Sequence, residues 1–541
     1  MRIWKMSIGI GVLAVLATAV GVLMAQNSQL SGSRIKAHVR FLSSDLLEGR
    51  GVGSRGGQLT EEYIAAQLAA IGARPAGEKG TYFQTVPMVG VQTLPESQLA
   101  FEKGGKRVWP KWQDEFVGGT HRQQENVSFD GEAIFVGHGI ANAQEKWDDY
   151  KGVDVKGKVV VVFTNEPQPE NPEVFKGKTL TYAGRWVYKF EEAARRGALG
   201  CLIIHTTPTA GYGWEVVRNS WSKEDPQMRL EPNATPLAFA GWVTQNAGEK
   251  ILAMAGHTVN DLLRAADSRD FKPIPLGIAM RGNLKAKIRA IESRNVLGMI
   301  PGSDPKLRDQ YVLYSAHWDH LGVALPVNGD AIYNGAIDNA TGVGVVLETA
   351  RAFASLRDAP RRSLLFAFWT AEESGLRGAE YYSHHPLAPA AKTAVNINYD
   401  ALFPSARTRD IVVSAAERTS MWAMVQATAK RYQLEIAPDP RPEQGSYYRS
   451  DHFMMARIGV PAFRVGLGSR IHGKPDNFAD TEFAEYNAKR YHQPSDEFRD
   501  EWDFASLEHA ARFGFTLGLN AANQESMPRW NAGDEFAVTP R

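Results

Sequence analysis

Cysteine is almost missing from this chain. Cys201 stands alone among 541 residues, so no disulfide forms within it and no thiolate-rich metal site exists. Any metal must be held by imidazole and carboxylate. Cys201 lies in the apolar run Cys201-Leu202-Ile203-Ile204 and reads as a small buried hydrophobe. Net charge is nearly missing too. Sixty-one Lys and Arg face sixty Asp and Glu, leaving +1, and no long basic run occurs, so nothing supports a nucleic-acid partner. No internal repeat is present. Apolar residues are not scarce: 43% hydrophobic against 22% charged is a globular balance. A chain this long exceeds what one core sustains, so two or more domains are expected.

The N-terminus carries Arg2 and Lys5 before an uncharged, mostly apolar run from Met6 to Ala25, the layout of a secretory leader. The run is nearly long enough to span a bilayer. Residues 1–27 are read as a signal peptide or an N-terminal membrane anchor. The protein is expected outside the cytoplasm: periplasmic, secreted, or anchored facing outward.

Two styles of sequence follow. Residues 30–114 and 285–523 read as one α/β unit, in which apolar runs such as Leu364-Leu365-Phe366-Ala367-Phe368-Trp369 alternate with helical stretches, the last over about 504–519. This pattern predicts a mixed, largely parallel sheet covered by helices on both faces. Residues 115–280 are richer in short strands such as Val159–Phe163 and read as an inserted α+β module. Residues 524–541 read as a polar, frayed tail. The Gly-rich stretch Glu48–Gly53 lacks a preceding strand and reads as a turn rather than a phosphate loop.

In such sheets ligands gather beyond the carboxyl ends of the strands. His317 and Asp319 follow one predicted strand, Asp338 lies before the next helix, Glu372 and Glu373 follow Trp369, and Asp400 follows Tyr399. His492 sits in the late segment Tyr491-His492-Gln493-Pro494-Ser495-Asp496. Two His, two Asp and one Glu suffice for two Zn²⁺ ions, and an aspartate shared between them would hold the pair about 3.5–4 Å apart. The adjacent carboxylates Glu372 and Glu373 repel unless a cation or proton intervenes, which fits one ligating metal and the other moving a proton.

The ordered segments Ser315-Ala316-His317-Trp318-Asp319, Gly335–Asn339, Ala371-Glu372-Glu373-Ser374-Gly375-Leu376, Asn398-Tyr399-Asp400, Arg449-Ser450-Asp451-His452 and Tyr491-His492 together resemble the co-catalytic di-zinc aminopeptidase family. The resemblance implies a three-layer α/β/α zinc-peptidase domain. It implies one zinc on His317 and Asp400, the other on Glu373 and His492, and Asp338 as the bridge, with Mn²⁺ or Co²⁺ as substitutes. It implies Glu372 as general base, Tyr491 as oxyanion-stabilising phenol, Arg449 as a substrate contact, and Asp319 as the carboxylate that orients His317. His320 and His452 are rival ligands, read as structural or supporting. Residues 115–280 are similar to the protease-associated domain. The activity implied is removal of residues from peptides with a free N-terminus. The alternatives are a carboxypeptidase or glutaminyl cyclase of the same fold, or a non-catalytic, receptor-like binding protein.

Overall fold

The computed structural model describes residues 30–143, 145–167, 175, 177 and 179–537. The basic-then-apolar leader lies outside them. Among the described residues no helix is long and apolar enough to cross a membrane.

Helices α1 (Gly32–Leu42) and α2 (Arg55–Ala70) lead into β1 (Phe83–Thr93). A second layer system then begins with β2 (Gln98–Lys103), β3 (Phe116–Gly119), β4 (Asn126–Phe135) and β5 (Val159–Phe163). It continues through α3 (Trp186–Arg195), β6 (Gly200–Ile204), α4 (Trp214–Trp221) and β7 (Phe239–Val243). Strands β4, β5, β6 and β7 run parallel in that order, and β3 closes the edge antiparallel. Strands β5, β6 and β7 are buried along their whole lengths, as continuous apolar runs require when both faces are covered.

The joint between the two systems is β8 (Ile274–Ile300), a single 27-residue strand. Its first half pairs with β2 and β4, and its second half with β1. Its last five residues pair with β10 (Ser363–Trp369), which follows β9 (Tyr311–His317) and α5 (Thr341–Ala354) in the chain. Among the elements that follow are α6 (Arg377–His384), β11 (Thr393–Asn398), β12 (Asp410–Val413), β13 (Ala462–Leu467), α7 (Phe478–Lys489) and α8 (Ala505–Asn523). Across this sheet the order is β8, β10, β9, β11, β13, β12, with parallel pairs from β10 to β13 and antiparallel pairs where β8 and β12 join. This is the mixed α/β sheet expected from the alternating pattern.

Strand alternation divides its side chains between two cores. Val312, Tyr314, Ala316, Leu364, Phe366 and Phe368 face the α5 and α8 side. Leu313, Leu365, Ala367 and Trp369 face the α6 side. A period of two thus produces three layers from sequence that is uniformly apolar. Helix α8 approaches closely because Gly514 and Gly518 present no Cβ. An added Cβ would overlap the hydroxyls of Tyr399 and Tyr314.

The segment after Asn523 differs from the expectation. Trp530 and Phe536 are buried, and Arg418 Nε pairs with Asp534 Oδ2 at 2.7 Å. Two large aromatics are enough apolar surface to dock an otherwise polar tail.

Candidate metal centre

Strands β9 and β10 run parallel with His317 opposite Trp369, and β11 runs parallel on the other side of β9. The segments leaving their C-terminal ends therefore open on one rim. They deliver His317, Glu372, Glu373 and Asp400 there, while the turn before α5 delivers Asp338 and the turn after α7 delivers His492.

The side chains converge. His317 Nε2 lies 3.3 Å from Asp338 Oδ1 and 3.3 Å from Asp400 Oδ1. His492 Nε2 lies 3.0 Å from Glu373 Oε2 and 3.6 Å from Asp338 Oδ2. The two oxygens of Asp338 thus face two different imidazoles. Glu372 Oε2 stands 3.9 Å from His317 Nε2. His320 also enters, with Nδ1 2.5 Å from Glu373 Oε1. Among the described residues, two groups of donors are close enough to share an ion: His317, Asp338 and Asp400, and His320, Asp338 and Glu373.

These residues fit a divalent cation. Burial alone would lower the imidazole pKa values, yet the surrounding carboxylates raise His317 well above its ordinary value and push His492 up to about 9. Burial raises Glu372 well above the usual carboxylate range, and the charges of Glu373, Asp400 and Asp451 add to it. Burial also acts on Glu373, but the imidazoles of His492 and His320 win and hold it low. The buried Nε2 of His320 has no hydrogen-bond partner among the described residues. Negative charge in excess, borderline nitrogen donors and hard oxygen donors make a set suited to zinc and related ions.

Supporting groups fix this geometry. Asp319 meets His317 Nδ1 chiefly through its main-chain oxygen, at 3.2 Å, while its carboxylate stands 3.8 Å off. That carboxylate accepts the amides of Glu372 at 3.0 Å and Glu373 at 3.4 Å, so it shapes the glutamate turn. Asp496 accepts from the amides of Ile337 and Asp338. Asn339 receives the amides of Gly342 and Ala401 and donates to Tyr399 O, tying the Asp338 turn to the Asp400 turn. Arg50, 1% exposed, donates to the carbonyls of Leu42, Trp318, Asn334, Gly335 and Asp338. The Gly-rich stretch is a turn, as expected, and its use is to aim this guanidinium under the centre.

From α4, Ser220 Oγ meets His492 Nδ1 at 2.8 Å and Asn219 Nδ2 donates to His492 O at 3.1 Å. Sequence reading missed Arg50, Ser220 and Asn219, because each acts across more than two hundred residues. Arg449 Nη2 donates to Tyr491 Oη at 3.0 Å, and both line the cavities beside Glu372. Arg464 donates to Asp400 O at 2.7 Å, whereas Arg457 lies over Tyr182 and Phe453 and Arg470 pairs with Glu435. His452 is fully buried with its ring against Tyr447 and belongs to neither donor group.

Residues 295–515 match the model described as peptidase family M28. Among curated relatives, the glutamate carboxypeptidase 2 homolog of Caenorhabditis elegans is 25% identical over 351 residues, which cover 63% of this chain and 37% of that protein. Aminopeptidase NAALADL1 of Rattus norvegicus is 32% identical over 142 residues, covering 25% and 17% respectively. The chain thus spans well under two thirds of the length of these relatives. Among solved structures, an aminopeptidase from Aneurinibacillus sp. strain AM-1 superposes with a TM-score of 0.55 at 18% identity, over 93% of this chain and 96% of the other, a likeness of fold. Over residues 295–515 the chain is thus similar to peptidase family M28, which supports a metallopeptidase hydrolase.

Proposed function

We propose that the protein is an exported aminopeptidase that holds two zinc ions, one on His317 and Asp400, one on Glu373 and His492, with Asp338 shared. The observation that carries this reading is the placement of Asp338. Its Oδ1 lies 3.3 Å from His317 Nε2 and its Oδ2 3.6 Å from His492 Nε2, as a carboxylate serving two ions requires. When bound, zinc supplies Lewis acidity for a water nucleophile and for the scissile carbonyl.

The chain's own residues perform the rest. Glu372 accepts the proton of the attacking water at its carboxylate and returns it to the leaving amine, a role suited to a carboxyl whose proton affinity burial has raised. Tyr491 donates its phenolic hydrogen to the developing oxyanion, and Arg449 fixes that hydroxyl from 3.0 Å. Glu372 and Asp400 accept hydrogen bonds from the free α-amine of the substrate. Asp319, Asp496, Asn339 and Arg50 hold the ligand-bearing turns in place. Residues 115–280 form a protease-associated module that supplies Ser220 and Asn219 to His492. Export rests on the leader pattern from Arg2 to Ala25.

The test is hydrolysis of an aminoacyl-reporter panel by metal-stripped protein with and without added Zn²⁺. Activity should appear only with metal, tolerate C-terminal amidation and vanish on N-acetylation. Release of residues from an N-acetylated, C-terminally free peptide would transfer the assignment to a carboxypeptidase. Turnover in verified metal-free protein would end the metal mechanism. The runner-up, a carboxypeptidase, draws on the approach of a second arginine, Arg185, to Arg449.

A further inference from the structure

The larger cavity beside Glu372, about 210 Å³, is bounded by polar groups of two origins. Asp338, Glu372 and Asp400 belong to the centre. Asp439, Arg441, Gln444 and Ser446 come from the segment that leads to Arg449. Phe403, Val412, Leu467 and Phe483 supply apolar wall. Strand β13 forms the floor. Arg464 on this strand donates to Asp400 O at 2.7 Å. Gly466 lies farther along the strand, about 7 Å on, and opposite Val412. A Cβ added at Gly466 would meet nothing nearer than Val412 Cβ at 3.9 Å, so the floor is open there. Asp400 borders this cavity and not the smaller one. With the substrate amine met by Asp400 and Glu372, as proposed above, the side chain of the N-terminal residue extends over Gly466.

The groups beyond Gly466 carry an excess of negative charge. Arg441 holds its guanidinium 3.5 Å from the centroid of the Phe483 ring, and its Nη1 pairs with Asp480 Oδ1 at 3.2 Å. Burial pulls this arginine down, and Asp480, Asp439 and Glu443 all oppose that pull, so several carboxylates surround one cation. Asp439 accepts from the amide of Arg441 at 2.9 Å and from Ser446 Oγ at 2.5 Å. A carboxylate offers about four lone-pair sites, so Asp439 can accept further donors from the cavity. It makes no ion pair among the described residues. A wholly apolar side chain laid against Asp439 would strip water from a carboxylate and return nothing, which is unfavourable. A side chain with a methylene stem and a cationic head does better. Its stem covers Phe403, Val412, Leu467 and Phe483, and its head gives Asp439 a charge-assisted hydrogen bond.

We propose that Asp439 reads a positive charge at the tip of the substrate's N-terminal side chain, so that the preferred substrates are peptides beginning with Lys or Arg. The orientation of the substrate rests on the aminopeptidase reading, but the cation-reading end of the cavity rests on Asp439 and its surroundings.

Hydrolysis of lysyl, arginyl, norleucyl and glutamyl reporters by the zinc-loaded protein at neutral pH tests it, since lysine and norleucine share a stem and differ in the charged head. The lysyl reporter should exceed the norleucyl one in kcat/KM by about 10- to 100-fold, the worth of one hydrogen bond to a charged group. The arginyl reporter should behave like the lysyl one, and the glutamyl reporter should be the poorest of the set. Asp439→Asn should bring lysyl and norleucyl reporters together, and Asp439→Glu should retain part of the preference. Calorimetric titration with free lysine and free norleucine supplies a readout independent of turnover: lysine should bind more tightly, and only while Asp439 is present. Equal handling of lysyl and norleucyl reporters by the parent protein, a favoured glutamyl reporter, or a preference untouched in Asp439→Asn overturns the proposal. Asp439-dependent binding of lysine with no aminoacyl hydrolysis at all would leave the cation-reading end standing and remove the aminopeptidase reading instead.

Discussion

His320 Nδ1 stands 2.5 Å from Glu373 Oε1, while the other oxygen of that carboxylate, Oε2, faces His492 at 3.0 Å. Glu373 is therefore gripped at both oxygens. A ligand held by a neighbouring imidazole keeps its orientation, and loss of such support typically costs about 10- to 100-fold in metal affinity. His320→Ala should weaken zinc retention by that order in a chelator competition, and His492→Ala should do so more severely. Unchanged affinity in His320→Ala would show that Glu373 needs no such partner.

The adjacent glutamates separate by environment. Glu372 is driven up by burial and by carboxylate neighbours, Glu373 is held low by two imidazoles. Glu372→Gln should keep its metal and lose turnover by about 10²- to 10⁴-fold. Glu373→Gln should lose metal first. Metal analysis beside initial rates distinguishes them, and the reverse pattern would mean that the two roles are exchanged.

Arg50 feeds five buried carbonyls, including that of Asp338. Arg50→Met keeps apolar bulk but strands those oxygens, at about 1–3 kcal/mol for each that stays unpaired. A lowered denaturation midpoint together with weaker zinc binding is expected. If the midpoint fell and zinc affinity held, the residue would support the fold without supporting the centre.

How much of this was readable beforehand follows from how local each signal is. His317 ends one strand, and Glu373 and Asp400 sit four and two residues beyond strands whose apolar runs are obvious, such as Leu364–Trp369, so these strand ends and ligands are legible together. Strand β8 is not, because its 27 residues change neighbours midway and its polar alternation resembles several short pieces. Arg50, Asp496 and Arg185 reach the site only through the fold. The buried Trp530 and Phe536 were outvoted by the polar residues around them. Composition averages over a segment, whereas docking needs only its anchors.

Lys189 gives a pH signature away from the centre. It is fully buried and donates to Asn165 O and Ala183 O at 2.8 and 2.6 Å. Burial pushes it from an ordinary 10.5 down to about 7. Between these values the unfolded chain binds the proton that the folded chain does not, so stability rises with pH across that window. Glu166, raised by burial from 4.5 to about 7, works oppositely: its contribution is present at low pH and lost as pH climbs through 7. Parent and Lys189→Met midpoints should therefore differ by an amount that changes between pH 7 and 10.5, the parent gaining relative to the variant as pH rises. A difference independent of pH across that window would contradict the buried neutral lysine.

The contact between Ser220 and His492 tests whether helix α4 belongs to the working site. Ser220 Oγ meets His492 Nδ1 at 2.8 Å, which leaves Nε2 directed at Glu373 and Asp338. Ser220→Ala removes one hydroxyl from the end of α4 and leaves no large cavity, so its effect on the denaturation midpoint should be small, within about 1 kcal/mol. Its effect on the centre should be larger, because an imidazole freed at Nδ1 loses both its tautomer preference and its ring orientation. Zinc affinity should fall by about tenfold or more, and Ser220→Thr, which restores the hydroxyl, should recover most of it. Equal zinc affinity in the alanine variant and the parent would mean that Asn219 and the backbone alone orient His492.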